Sequence, residues 1–209
     1  MAANFDWVRT SQSFGFIGPG DPAVHIEHTL AFGTFVETLG VPLDGGTLFS
    51  YADLGTGGGF PGLYICQADS ISSGALIEVR KKRAEFLEGV LDQLGLSDKV
   101  RVLCERTERL AHTELREVFD LITARAFGAP SVTAESGSGL LALGGLLVIS
   151  DPPGATSQAR WSSEGLAMLG LEHVASVSVP FALTALRKVE PLDERYPRRT
   201  GLPERKPLF

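Results

Sequence analysis

Cysteine is scarce in this sequence. Its 209 residues include only two, Cys66 and Cys104, too few for a disulfide framework or a cysteine-rich metal site. We expect both to be buried, reduced thiols in a cytoplasmic protein, because the first seven residues lack the basic and apolar regions of a signal peptide. We expect no metal site either. His25 and His28 could share a helix face, but no third ligand stands at a useful spacing.

Long hydrophobic runs and net positive charge are absent as well. No apolar run approaches the roughly 20 residues of a membrane-spanning helix, so we expect no membrane association. The formal net charge of −6 argues against a protein that holds nucleic acid by its overall charge. A composition of 44% hydrophobic and 21% charged residues is typical of a globular domain with a full core.

Basic residues are instead concentrated near residue 200. The segment 195–206 carries five basic residues and one acid. Such a segment can meet a phosphate backbone, with Arg198, Arg199 and Arg205 as the candidate RNA contacts. The alternative is a solvated tail without a partner.

Strand-like and helix-like segments alternate through most of the chain. Apolar segments lie at 48–52, 74–79, 100–104, 119–124 and 145–150, and helix-like segments at about 61–68, 81–95, 108–117, 130–143 and 156–169. This order predicts an α/β fold with a mostly parallel sheet. Two β-like runs, 172–179 and 182–189, predict an antiparallel C-terminal hairpin. We expect a short N-terminal helical extension over 1–46 with a helix from about residue 21, an α/β domain over 47–190 and a basic tail over 191–209, a single domain overall.

The segment Asp53-Leu-Gly-Thr-Gly-Gly-Gly-Phe-Pro-Gly, residues 53–62, is the strongest functional signal. It follows the first predicted strand and has five glycines in eight positions. Glycine has no Cβ, so the turn can take φ > 0 and bring its backbone against a ligand. Pro61 suits the first turn of the next helix. The loop predicts a nucleotide-like cofactor, although its Gly-x-Gly-x-x-Gly spacing alone would also fit a dehydrogenase.

Polar side chains follow the other predicted strands, where ligands of open α/β sheets bind. Glu78 ends the second strand, and its carboxylate can accept hydrogen bonds from both hydroxyls of a ribose. Thr107 and Glu108 follow the third strand, where an adenine edge could be read. Arg125 follows the fourth and Asp151 the fifth. Glu78 and Glu108 could instead be ordinary acids that begin helices.

The 53–63 segment resembles the signature of the RsmG family, also called GidB (glucose-inhibited division protein B), bacterial methyltransferases of a guanine N7 in small-subunit (16S) ribosomal RNA. The resemblance covers about residues 14–208 and includes the segments 16–20, 28–30, 77–87, 105–108, 119–127 and 196–208. It implies a Rossmann-like class I methyltransferase fold, with 47–190 as the methyltransferase domain. It also implies S-adenosylmethionine as cofactor and small-subunit ribosomal RNA or the small ribosomal subunit as partner.

The resemblance also implies site residues. Those carried over for the cofactor are Gly55, Phe60, Thr107, Glu108 and Arg125, while Asp53 and Glu78 match general acidic positions of the fold and Gly57 belongs to the same loop. No residue is assigned a catalytic role. Phe127 and Tyr196 are candidates for stacking a splayed base.

Two departures from the family pattern keep alternatives open. Ser150-Asp-Pro-Pro-Gly stands where the family usually has a lysine and a glycine, reversing the local charge where RNA would approach. The N-terminal helical region is shorter than usual. The alternatives are a non-catalytic relative that binds S-adenosylmethionine or RNA and, less favoured because little chain is left for a substrate domain, a nucleotide-dependent dehydrogenase.

Overall fold

A computed structural model describes residues 3–154 and 160–209. The chain forms two compact units, residues 1–104 and 105–209. Residues 156–159, at the start of the predicted helix at about 156–169, lie outside the described residues. The predicted division into an extension, a methyltransferase domain and a tail assigns a role to each segment and stays a prediction.

In its described residues, the first unit contains three parallel strands and four helices. The strands are β1 (Phe49–Leu54), β2 (Ile71–Ile77) and β3 (Val100–Leu103), and the helices are α1 (Trp7–Ser13), α2 (Pro22–Thr38), α3 (Gly62–Ile65) and α4 (Lys81–Gln93). The hydrogen-bonded order is β3-β2-β1. The Asp21 carboxylate accepts a hydrogen bond from the Ala23 amide at 2.9 Å, and Pro22 needs no partner for its nitrogen, so α2 begins there.

The second unit combines parallel and antiparallel strands. The strands are β4 (Phe119–Ala124), β5 (Leu141–Ser150), β6 (Leu171–Val177) and β7 (Leu183–Lys188), and the helices are α5 (Thr107–Leu110), α6 (Pro130–Ser138), α7 (Ser163–Ala167) and α8 (Leu202–Arg205). β4 and β5 are parallel, and β7 pairs antiparallel with both β5 and β6. The predicted parallel strands and C-terminal hairpin are confirmed.

Buried apolar residues of the strands form the cores. Tyr51, Leu54 and Leu76 are fully buried in the first unit, as are Leu121 and Leu147 in the second. Their side chains are apolar on both faces of the strands because helices cover a parallel sheet on both sides. The cores therefore fix the carboxyl ends of the strands, where the predicted site residues begin.

Three local predictions are wrong. The predicted helix over 108–117 is the four-residue α5, and the predicted helix over 130–143 ends at Ser138. The apolar residues after it fit either structure, and pairing of Leu141 with Phe119 makes them a strand. Cys104 is exposed rather than buried because it directly follows β3, whereas Cys66 is buried as predicted. Burial raises the pKa of the Cys66 thiol.

Candidate functional site

The glycine loop presents an open side and a filled side. Gly55 and Gly57 have φ values of 62° and 58°, the left-handed region that glycine tolerates best. A Cβ added at Gly57 would have no neighbouring atom nearer than 3.6 Å, whereas one at Gly58 would lie 2.5 Å from Ile17 Cγ2 and Ser11 Oγ. A ligand can therefore approach the loop at Gly57, while Gly58 is packed against protein.

The N-terminal helices form the filled side. Trp7 is 4% exposed, and its ring centroid lies 4.6 Å from that of Phe60. His25 stacks on Phe60 at 5.6 Å, and Ser11 Oγ donates a 2.9 Å hydrogen bond to the Gly58 carbonyl. Helix α1, which the sequence pattern did not reveal, thus holds the loop in place. Phe60 is a buried ring of this packing, and its contact with the cofactor stays a prediction.

Glu78 links the open side of the loop to α4. Its carboxylate is buried, with Oε2 accepting from the Gly57 amide at 3.0 Å and Oε1 accepting from the Arg80 amide at 2.8 Å. Arg83 Nη1 lies 3.7 Å from Oε2. Each carboxylate oxygen can accept a second hydrogen bond. Glu78 therefore both holds the start of α4, as the alternative reading expected, and retains acceptor capacity for hydroxyl groups.

Asp53 lies near the end of β1, close to the last glycine of the loop. It is 1% exposed, and a Cβ at Gly62 would lie 2.6 Å from its Oδ2. Only glycine permits so close an approach of α3 to this carboxylate. Among the predicted residues of the first unit, the structure therefore brings Gly57 and Glu78 into direct contact and places Asp53 against Gly62.

The remaining predicted cofactor residues belong to the second unit. Thr107 and Glu108 form the first turn of α5 and are 3% and 6% exposed. Just before them, the Arg106 amide, 2.7 Å from Oε1 of Glu105, lowers the pKa of that carboxyl. Arg125 directly follows β4 and is half-buried. The roles of Thr107, Glu108 and Arg125 stay predictions.

The basic tail is bound to its unit and is not merely solvated. The Arg198 guanidinium donates hydrogen bonds to the Glu135 carboxylate at 2.6 to 3.1 Å, and these bonds raise the pKa of Arg198. Glu135 lies in α6 and is fully buried. Arg116 donates to the backbone carbonyls of Leu192 and Tyr196 at 2.9 and 2.8 Å. Arg198 therefore holds the tail against α6, a structural role that the sequence did not predict for it.

The other tail residues differ in their exposure. Arg199 and Arg205 are exposed, as contacts to phosphate require. Tyr196 is only 6% exposed, and the Arg195 guanidinium lies 5.1 Å from its ring centroid. Tyr196 therefore packs inside the tail rather than offering an open face to a base, while Phe127 is half-buried.

Asp151 does not carry its charge to the surface. It is 7% exposed, and its carboxylate accepts from Thr184 Oγ1 at 2.6 Å and from Arg160 Nε at 3.2 Å. Arg160 compensates the carboxylate, so Asp151 does not present an unpaired negative charge, and the effect of the missing family lysine stays a prediction.

One of these interactions had a signal in the sequence. Glu135 is a lone acid among small residues in the 130–138 segment, and a buried acid needs a cationic or hydrogen-bonding partner. That partner is Arg198, which lies 63 residues further along the chain, so no local pattern identifies it.

In the described part of the chain, no helix is long and apolar enough to cross a membrane, and no three His, Cys, Asp or Glu residues are grouped to hold a metal ion.

Comparisons with known proteins agree with this geometry. The family described as rRNA small subunit methyltransferase G (GidB) matches residues 41–183. The ribosomal RNA small subunit methyltransferase G of Dictyoglomus thermophilum is 31% identical over 183 residues, covering 84% of this chain and 76% of the relative. That of Thermotoga petrophila is 36% identical over 163 residues, covering 75% and 71%.

A solved structure shows the same fold. A SAM-dependent methyltransferase from Aquifex aeolicus superposes with a TM-score of 0.53 at 17% identity, covering 73% of this chain and 88% of that one. At this identity the likeness concerns the fold alone, which is the Rossmann-like class I methyltransferase fold that the sequence predicts. With the family match extending over more than half of its residues, the chain belongs to the rRNA small subunit methyltransferase G family.

Proposed function

We propose that this protein transfers a methyl group from S-adenosylmethionine to a guanine N7 of small-subunit (16S) ribosomal RNA. Membership of the rRNA small subunit methyltransferase G family carries the proposal. The geometry of the loop supports it, since a buried carboxylate and a left-handed glycine meet at the carboxyl ends of neighbouring parallel strands. Nucleotide cofactors bind at such strand ends in α/β proteins.

The residues of the first unit fit S-adenosylmethionine. Glu78 has acceptor capacity for the two ribose hydroxyls, and it is already fixed by the Gly57 and Arg80 amides. The space beside Gly57, which a side chain would occupy, suits the amino-acid end of the cofactor. Asp53 lies against Gly62 at the end of the loop. Gly55 and Phe60, together with Thr107, Glu108 and Arg125 of the second unit, are proposed as further contacts on the family resemblance.

The reaction makes modest demands on acid and base groups. Guanine N7 carries an unprotonated lone pair, so no residue has to remove a proton before attack. When bound, the cofactor supplies a methyl group on a positively charged sulfur. The protein has to align the acceptor with that group, and such positioning can contribute about 7–11 kcal/mol. Arg125 is permanently protonated and would position a charged group rather than act as a base.

The RNA partner is proposed from the family and from the tail. Arg199 and Arg205 are exposed, and their side chains can neutralise phosphates. Arg198 holds the segment that carries them. We propose small-subunit ribosomal RNA or the small ribosomal subunit as the partner, and the cytoplasm, where ribosomes assemble, as the compartment.

Methyl transfer to unmodified substrate tests the function directly. Purified protein would be incubated with S-adenosylmethionine and either naked 16S RNA or small subunits from a strain in which the encoding gene is deleted. Nucleoside mass spectrometry should reveal new 7-methylguanosine, and the Gly57→Val variant serves as the control without a cofactor site. Bound cofactor with no transfer to either substrate would favour the non-catalytic relative, and co-purified nicotinamide nucleotide would favour a dehydrogenase.

A further inference from the structure

A groove beside the glycine loop has no part in the proposed cofactor site. It has a volume of about 540 Å³ and is lined by residues 15–20 with Gln12 and Arg83. Gln12 Nε2 donates to the Gly20 carbonyl at 2.8 Å, which fixes the course of this segment. A Cβ added at any of its three glycines, 15, 18 and 20, would meet nothing within 4 Å. The wall of the groove is therefore ordered and open.

An aromatic cluster, defined as Phe14, Phe16 and Phe86, adjoins this groove. The centroid of Phe16 lies 5.5 Å from that of Phe14 and 5.4 Å from that of Phe86. The Arg83 guanidinium is 5.7 Å from the Phe16 centroid. Phe14 remains 61% exposed, although burial of a phenyl ring is favourable by roughly 1.5–3 kcal/mol. The cluster thus combines an exposed ring, Phe14, with a cation beside Phe16.

Positive charge is concentrated at the start of α4. Arg80, Lys81, Lys82 and Arg83 are consecutive. Lys81 pairs with Glu85 and Arg83 with Glu78 at 3.7 Å, but no ion pair of the described residues involves Arg80 or Lys82, and both are exposed. Lys82 lies four residues before Phe86 and so shares its face of the helix. Lys82, which has no acidic partner among the described residues, therefore borders the aromatic cluster, and Arg80 lies two residues before it, in a protein whose net charge is −6.

We propose that the groove and the aromatic cluster bind a single-stranded segment of the ribosomal RNA substrate, with a base stacked on Phe14 and neighbouring phosphates on Arg80 and Lys82. Proteins recognise unpaired RNA by stacking its bases on aromatic rings and neutralising its phosphates. An apolar protein surface would cover the rings but leave the two cations without partners. The inference rests on the proposed function, to which it adds a second RNA contact besides the tail.

The position of the groove suits such a contact. Its wall residue Ile17 packs against the glycine loop, within 2.5 Å of where a Cβ of Gly58 would stand, and Arg83 reaches Glu78. RNA held there would lie beside the loop proposed to hold the cofactor. Because the contact would involve a nucleotide near the target rather than the methylated guanine, its loss should weaken substrate binding without affecting the cofactor.

The experiment compares single variants with matched controls in binding to a 16S RNA transcript over a range of salt concentrations. Lys82→Ala and Arg80→Ala are paired with Arg101→Ala, which removes an exposed charge from β3 of the same unit. Phe14→Ala is paired with Leu48→Ala, whose side chain is 64% exposed. Cofactor affinity, measured by calorimetry, should be unchanged in all five and so verifies folding.

We expect Phe14→Ala to weaken RNA binding by about 5- to 150-fold, the range for loss of one stacked base, with little effect of Leu48→Ala. Lys82→Ala and Arg80→Ala should each lower the slope of log K against log salt by about 0.7 to 1, with no such change in Arg101→Ala. If the variants match their controls while the wild-type protein binds and methylates the RNA, the proposed RNA surface is refuted and the proposed function is not.

Two further outcomes separate this inference from its neighbours. If the variants bind naked RNA like wild type but lose methyl transfer to small subunits, the surface contacts a ribosomal protein and the RNA contact is refuted. If wild-type protein neither binds nor methylates small-subunit RNA or small subunits, the proposed function fails, and the RNA surface fails with it.

Discussion

Replacement of Arg198 by alanine should strongly destabilise the second unit. The change removes three hydrogen bonds between the guanidinium and Glu135, at 2.6, 2.8 and 3.1 Å. Among the described residues, it leaves the Arg198 amide to donate to that carboxylate at 2.7 Å. Glu135 is fully buried, while the Arg198 side chain is 18% exposed. Breaking a buried ion pair from one side costs about 3–5 kcal/mol. Because water reaches the arginine, we expect about 3 kcal/mol.

This magnitude can be measured by urea unfolding followed by circular dichroism. Arg198→Lys retains the charge but not the planar fork, so it should lie between wild type and alanine. The matched control is Arg199→Ala, an exposed neighbour that should change the free energy of unfolding by less than about 0.5 kcal/mol. If the stranded carboxylate causes the loss, Glu135→Gln in the Arg198→Ala background should recover about 1 kcal/mol or more. Equal stability of Arg198→Ala and Arg199→Ala would refute the reasoning.

Four other predictions concern the loop, the tail and Lys188, a fully buried lysine at the end of β7. Glu78→Ala should weaken S-adenosylmethionine binding more than about tenfold, or 1.4 kcal/mol, by calorimetry; unchanged affinity would reject its ribose role. Gly57→Val should abolish cofactor binding, because a branched side chain would fill the space proposed for the cofactor and would resist the φ of 58°. The protein should still fold, because an added Cβ would meet no atom nearer than 3.6 Å; normal cofactor binding would move the site elsewhere. The pair Arg199→Ala and Arg205→Ala should weaken RNA binding and reduce its salt slope by about one per lost contact, with unfolding and cofactor affinity unchanged; an unaltered slope would remove the tail from the RNA interface. Burial lowers the pKa of Lys188 despite nearby Glu117. The unfolded chain therefore holds this proton more tightly than the folded protein does. The stability of wild type relative to Lys188→Met should rise as the pH approaches about 10.4, the pKa of an unfolded lysine. A stability difference between these two proteins that is independent of pH in urea titrations would contradict that sign.

The parts of the fold and site that are encoded locally could be predicted from the sequence. Alternation of apolar strands with helices gave the parallel strands because each element buries its own face, and the pattern repeats over short segments. The glycines of residues 55–62 marked a left-handed turn, since few other residues tolerate that backbone. Glu78 was identifiable as a strand-end acid. The family resemblance added the cofactor and the substrate class.

Contacts between residues distant in sequence were decided only by the tertiary structure. Helix α1 is short and has no hydrogen bond from an N-cap side chain. Its stability therefore depends on the packing of Trp7 against Phe60 and of Ser11 against Gly58, the latter 47 residues away. Arg198 looked like a surface cation until Glu135, 63 residues before it, was brought against it. Asp151 looked like a surface acid until Thr184 and Arg160 enclosed it. A charged side chain reads as exposed in sequence, and only the fold reveals the partner that allows its burial.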